Sequence, residues 1–397
     1  MRPIILFPIL LTAVLSRSWT AIHHLAPDPG LGFQLAARSG SIPHIFSLSD
    51  GYLQVFPRLV SELLDLVPLS QLPYWSTFLN ALVVAACALV VGWCGESNAG
   101  RTIGFLVALA TAITYASAEG LIGNIWSVRW TLLATACALV TTPQLIDKRR
   151  GIAVFLLLIT GLSHAYIFVP TLIFVARAVC IRRLTRTDQM VGAVLLGTSL
   201  LQLIGFLLSQ SPVRKYGENT LYRPWENMGV FWYSVFLGPF LLSAAALIVS
   251  LIDSRPKDSH RLDQRLRALS ALMLCIFSYL QLGIKSSPAV ATSVFGVFAL
   301  LTNSWTPNRP QKRLFVHSLA LVGAGVFFFL SSYYFAASDY LTSSPTWASE
   351  VSRGRIECSE HGVTRVSLLY LKRGDTEATE MLGCTEIDSW DKWFWQR

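Results

Sequence analysis

The stretch His23-His24-Leu25-Ala26-Pro27-Asp28-Pro29-Gly30 sets a carboxylate beside two imidazoles, just beyond the first long apolar run of the chain. These residue types can move a proton. A carboxylate within hydrogen-bond reach of a hydroxyl accepts its proton as a bond forms to the oxygen. Asp28 is therefore a candidate for an active-site rim, and Asp50, further along the same interhelical stretch, is a second. An Asp before Pro-Gly also suits a simple turn. Two adjacent histidines with no third ligand nearby lack the pattern of a metal site, so no metal is expected. A different chemistry resides in Cys358 and Cys384. They are the only cysteines in the polar stretch after the last apolar run, whereas Cys87, Cys94, Cys137, Cys180 and Cys275 lie in or at the ends of apolar segments. Buried single cysteines act mostly as small hydrophobes.

The elements that must position these groups are apolar helices. Hydrophobic residues are 53% of the 397, charged residues 14%, and mean hydropathy is +0.51. Soluble domains carry about 25% charged residues. Long apolar runs recur from residue 3 to residue 336, which excludes a soluble enzyme, a nucleic-acid factor and a fibrous protein. The net charge of +9 calls for no nucleic-acid partner, because membrane proteins gather Lys and Arg on cytoplasmic loops. At roughly 20 apolar residues per crossing, the expected fold is an all-α polytopic membrane protein of about 11 transmembrane or hairpin helices. They are placed near 3–20, 76–94, 103–120, 125–142, 152–163, 167–181, 189–209, 229–252, 267–284, 289–304 and 314–336. Of 32 Lys and Arg, 17 then fall on one side, 8 on the other and 7 in the C-terminal tail. That bias predicts an N-terminus inside and a C-terminus outside.

Three segments depart from ordinary spans. Segments 152–163 and 167–181 are short and flanked by basic clusters. The spacing predicts either two short helices or a shallow hairpin entering from the cytoplasm, with its tip at Ser163-His164-Ala165-Tyr166. The N-terminus, Arg2 followed by an apolar run, is similar to a secretory signal peptide. No clean small-x-small site follows, so a retained helix is expected. The loop 21–75 is far longer than its fellows, and such loops usually carry function or structure. Within it residues 50–67 predict an amphipathic helix, with Gln54, Arg58, Ser61, Glu62 and Asp65 on one stripe and the leucines mostly away from it. Such a helix suits the membrane surface.

The expected organisation is a transmembrane helical domain over 1–336 and a small extracytoplasmic tail over 337–397. Outside the membrane paired thiols oxidise. A Cys358–Cys384 bridge is expected there, closing a loop of about 27 residues and contributing about 3–4 kcal/mol. The partial alternation of 363–371 predicts a strand. Trp390, Trp393, Phe394 and Trp395 suit either the interface or the small domain.

A first helix, a long outer loop with an early carboxylate, an interfacial helix and many further helices together resemble the GT-C superfamily of glycosyltransferases. Ala26-Pro27-Asp28 followed by Ser49-Asp50-Gly51-Tyr52-Leu53-Gln54-Val55-Phe56-Pro57-Arg58-Leu59-Val60 is similar to a family of bacterial, largely actinobacterial, polytopic membrane proteins. Further matching stretches are Glu119-Gly120-Leu121-Ile122-Gly123-Asn124 with Trp130, the Ser163 tip with Pro170, and Trp347, Glu350, Cys358 and Cys384. The family's Glu-Asp pair stands here as Pro27-Asp28. The resemblance implies a bacterial plasma-membrane location. It also implies transfer of a sugar from a polyprenyl-phosphate donor to an envelope glycan or glycolipid acceptor, without a cofactor. It casts Asp28, then Asp50, as the base. Leaving-phosphate chemistry needs cationic donors, and Arg58, Arg129 and Arg223, with Arg214 and Lys215, are placed to supply them. Glu119, Asn124 and His164 are supporting candidates; Glu119 also suits a structural pair with Arg129, and His164 a packing role. Two other classes stay open: a transporter or flippase of lipid-linked sugars, and a non-enzymatic envelope-assembly component.

Overall fold

The computed structural model describes residues 2–18, 22–24, 37–38, 45–46, 48–49, 52–117, 128–180, 184–208, 243–244, 246–248, 259–282, 286–304, 345–373 and 376–392. It is mostly helical. The apolar runs form α1 (Pro3–Arg17), α3 (Leu72–Ala99), α4 (Arg101–Ser117), α5 (Val128–Val140), α7 (Arg150–Gly161), α8 (Phe168–Cys180), α9 (Arg186–Leu208), α10 (Ser259–Leu282) and α11 (Ser286–Ser304). The short helices are α2 (Val55–Asp65) and α6 (Pro143–Lys148). Two helices among the described residues, Leu69–Ala99 and Arg186–Leu208, are long and apolar enough to cross a membrane. The expected span 314–336 and most of 229–252 lie outside the described residues.

Helix α5 is the axis. All of its residues are buried, and it packs on α3, α7, α8 and α11. A helix apolar all round belongs inside a bundle. Helices α3 and α4 form the closest pair. They are joined at Gly100, whose φ of +91° is a conformation open to glycine. A methyl built on Gly104 would lie 2.6 Å from the Gly92 carbonyl, so the two backbones touch. Helix α1 lies across both.

The chain has two ends. At one, Asn98 donates to Thr142 (2.9 Å) and Arg177 bridges Asp188 (3.1 Å) and Asp263 (3.3 Å). At the other stand Arg129, the Ser163 turn and residues 52–71. The hairpin α7–α8 is formed. Its tip reaches the Arg129 end, because α5 runs away from that end and α7 returns alongside it. Helix α10 begins at Ser259, and Arg267 within it is fully buried, with none of its guanidinium nitrogens hydrogen-bonded among the described residues.

The tail departs from an all-α description. It folds as α12 (Trp347–His361), an antiparallel pair β3 (Arg365–Arg373) and β4 (Thr376–Gly383), and α13 (Cys384–Trp390). The strand expected at 363–371 is β3. Cys358 and Cys384 form a disulfide, with Cα atoms 5.7 Å apart. Gly354 lets α12 lie on the sheet, since a methyl there would sit 2.7 Å from the Leu368 side chain. One apolar cluster joins tail and loop: Val60, Leu64, Val67, Leu69 and Leu72 pack with Trp347, Val351, Val366, Leu368, Leu382 and Ile387. Trp390 packs on this cluster, and Trp393, Phe394 and Trp395 lie outside the described residues.

Candidate functional site

At the Arg129 end the chain after β1 (Leu48–Ser49) turns back as β2 (Tyr52–Leu53) and runs straight into α2. This junction is strapped to the hairpin tip. Leu53 N–H donates to Gln202 Oε1 (2.9 Å), and Gln202 Nε2 donates to the carbonyls of Leu53 (3.3 Å) and Gly161 (2.7 Å). Val55 N–H donates to the Leu162 carbonyl (3.2 Å), and Phe56 N–H to Ser163 Oγ (2.9 Å). Buried backbone groups need such partners. Here they come from three elements and fix where α2 starts.

Helix α2 is shorter than the expected 50–67, and its polar stripe faces inward. Gln54, Arg58 and Ser61 are buried, Arg58 being only 3% exposed. The leucines Leu59, Leu63 and Leu66 are exposed, Leu63 by 55%. Burial lowers the Arg58 pKa from its ordinary value. A guanidinium so placed stays charged near neutral pH. Glu62, on the same stripe, has its pKa raised, chiefly by burial and then by the charge of Asp65. Its Oε1 is buried without a hydrogen bond among the described residues.

Beside this helix the first turn of α5 presents Arg129 and Trp130. Arg129 Nη1 donates to the Tyr52 hydroxyl, and the guanidinium lies 5.3 Å from the Tyr52 ring centroid and 5.7 Å from that of Trp130. His164 meets Trp130 edge-on at 4.4 Å, and Tyr166 is 5.5 Å from Trp130. His164 Nδ1 accepts from Tyr166 N–H (3.1 Å). That bond places the proton of a neutral ring on Nε2. Nε2 and the Trp130 indole nitrogen are buried and have no hydrogen-bond partner among the described residues. The site is thus a buried cationic and aromatic corner with N–H donors still available. Such a corner suits an anionic or hydroxylated ligand.

Of the residues singled out from sequence, Arg129 and His164 come together across Trp130. Arg58 stands on the helix anchored to the same tip. Asp28, Asp50, Glu119, Asn124 and Arg223 lie outside the described residues, as do Arg214 and Lys215. His24 Nδ1 is hydrogen-bonded to the Pro345 carbonyl (3.2 Å), and burial lowers its pKa. Tyr52, Gln54, Tyr166 and Gln202 were not chosen as site residues from the sequence. The signal for Gln202 was a lone amide in an apolar helix, costly unless bonded. For Glu62 it was a carboxylate one turn beyond Arg58.

No protein-family model matches the chain, and no curated protein is significantly similar to it.

Proposed function

We propose that the chain is a polytopic membrane glycosyltransferase, taking a sugar from a polyprenyl-phosphate donor and adding it to a cell-envelope glycan or glycolipid on the outer side of the membrane. The observation that carries this reading is the orientation of α2. Gln54, Arg58 and Ser61 of its polar stripe turn inward, and Leu59 and Leu63 turn outward. A helix of that kind suits a ligand whose head group is polar and anionic and whose body is lipid.

In this reading Arg58 and Arg129 hold the donor phosphate and stabilise the charge that grows on it as it leaves. Asp28 accepts the proton of the acceptor hydroxyl. The acceptor oxygen bonds to the anomeric carbon as the carbon–oxygen bond to phosphate breaks, and polyprenyl phosphate departs with the electron pair. Configuration inverts. His164 Nε2–H and the Trp130 N–H orient hydroxyl or phosphate oxygens.

The test is sugar transfer from a polyprenyl-phosphate sugar by purified protein. Asp28→Asn should lower the rate by about a hundred- to ten-thousand-fold, with the protein still folded. Normal turnover in Asp28→Asn with a dead Asp50→Asn makes Asp50 the base. Normal turnover in both removes the carboxylate mechanism and favours transport of a lipid-linked sugar.

A further inference from the structure

Far from the Arg129 corner, α1, α3 and α7 leave a groove of about 460 Å³, open along one side. That volume falls within the roughly 300–1,000 Å³ of ligand pockets. Its lining is apolar: Phe7, Leu89, Val90, Trp93, Ile152 and Phe155 among others. One feature sets it apart from a mere gap between helices. The Arg149 guanidinium lies on the Trp93 ring, 3.7 Å from its centroid.

Arg149 is the middle of Lys148-Arg149-Arg150, which runs directly into groove residues Gly151 and Ile152. No member of this run has a carboxylate partner among the described residues. The acidic groups of this end are otherwise arranged. Glu96 pairs with Arg101 (3.4 Å), Asp188 and Asp263 pair with Arg177, and Asp147 is exposed one residue before Lys148. An apolar slot bordered by cations that have no carboxylate partner among the described residues suits an amphiphile with an anionic head. Basic pockets between membrane helices recognise anionic lipids in this way.

We propose that the groove binds an acyl chain of an anionic phospholipid from the surrounding bilayer, with the phosphate held at Arg149. The proposal rests on the membrane reading but not on glycosyl transfer.

Full-length protein in neutral detergent, stripped of lipid, is titrated with phosphatidylglycerol or phosphatidylcholine, and bound lipid is counted by native mass spectrometry. Phosphatidylglycerol should be retained preferentially. Arg149→Gln should weaken it about fivefold, the ratio that matches the loss of one basic residue near an anionic surface. Gly151→Leu should abolish binding with the circular dichroism unchanged, since a Cβ at Gly151 meets nothing within 4 Å. Equal retention of the two lipids, or wild-type binding by Gly151→Leu, overturns the proposal. So does displacement by polyprenyl phosphate at equal concentration, which assigns the groove to the donor. Release of the protein from cell membranes by a high-salt wash sinks the membrane reading itself and is recognisable as that separate failure.

Discussion

Gln202 holds three backbone groups at once, two on Leu53 and one on Gly161. Replacing its amide with an apolar group of similar length leaves those groups without protein partners. Each such loss costs about 1–3 kcal/mol. Gln202→Leu should therefore lower the melting temperature in detergent and reduce activity through a displaced α2; an unchanged melt would show that water takes over all three bonds. Glu62 makes a prediction of opposite sign. Its folded pKa is raised from the ordinary 4.5, so the ionised form is the disfavoured one in the fold. The stability it contributes is complete below 4.5 and lost as pH rises through the raised value. Melting curves should place wild type below Glu62→Gln above that pH and level with it in acid. A constant gap across pH would contradict this. At this scale the sequence was partly readable. Cys358 and Cys384 stood out because no other cysteine shares the polar tail. Gln202 did not, since nothing in a single apolar run says which backbone lies beside it.

Between elements, the closest approach at the hairpin is made by Gly161 against Thr198. A methyl on Gly161 would sit 2.3 Å from Thr198 Oγ1 and 2.5 Å from its Cβ. Gly161→Ala must push α7 from α9 and drag the tip that anchors Phe56. Overpacking of this kind costs about 1–3 kcal/mol, to be read as a lower melting temperature together with lost transfer activity. A variant as stable as wild type would mean that the interface has slack. The polar stripe of α2 was visible as a period, from Gln54 through Asp65. Periodicity tells which residues share a face and leaves open which face is inside. The helix suited a membrane surface on that pattern alone; the strapping of Leu53, Val55 and Phe56 sets Gln54, Arg58 and Ser61 inside. The hairpin break at Ser163 was legible for a similar reason, whereas the end of the bundle that its tip reaches was not, since that depends on the length of α5 beside it.

For the molecule as a whole, grouping by ends agrees with the charge pattern of the loops. Arg101, Lys148, Arg149, Arg177 and Arg267 gather at the end away from Arg129, and the tail docks at the Arg129 end. A reporter active only outside the cytoplasm, fused after residue 397, should therefore be active, and one fused at 148–150 silent; the reverse pattern would invert the proposed sidedness. The nine helical runs found among the described residues follow the apolar stretches because burial is what an apolar run can do anywhere. The docking of the tail on α2 was not legible, since Trp347 and Leu69 lie far apart in the chain and no local pattern links them.

That docking has a consequence in time. The Trp347 indole donates to the Leu69 carbonyl at 2.8 Å across a separation of 278 residues. Arg38 reaches the carbonyls of Leu64, Val67 and Trp390, and Asp391 accepts from Ser70. At ribosomal speeds of about 5–20 residues per second, roughly 14–56 s pass between the making of Leu69 and the arrival of Trp347. Through that interval Val60, Leu64 and Val67 have no cover from the tail. The cover of α2 thus arrives only with the tail, and a ribosome that stops before residue 345 leaves Val60, Leu64 and Val67 bare.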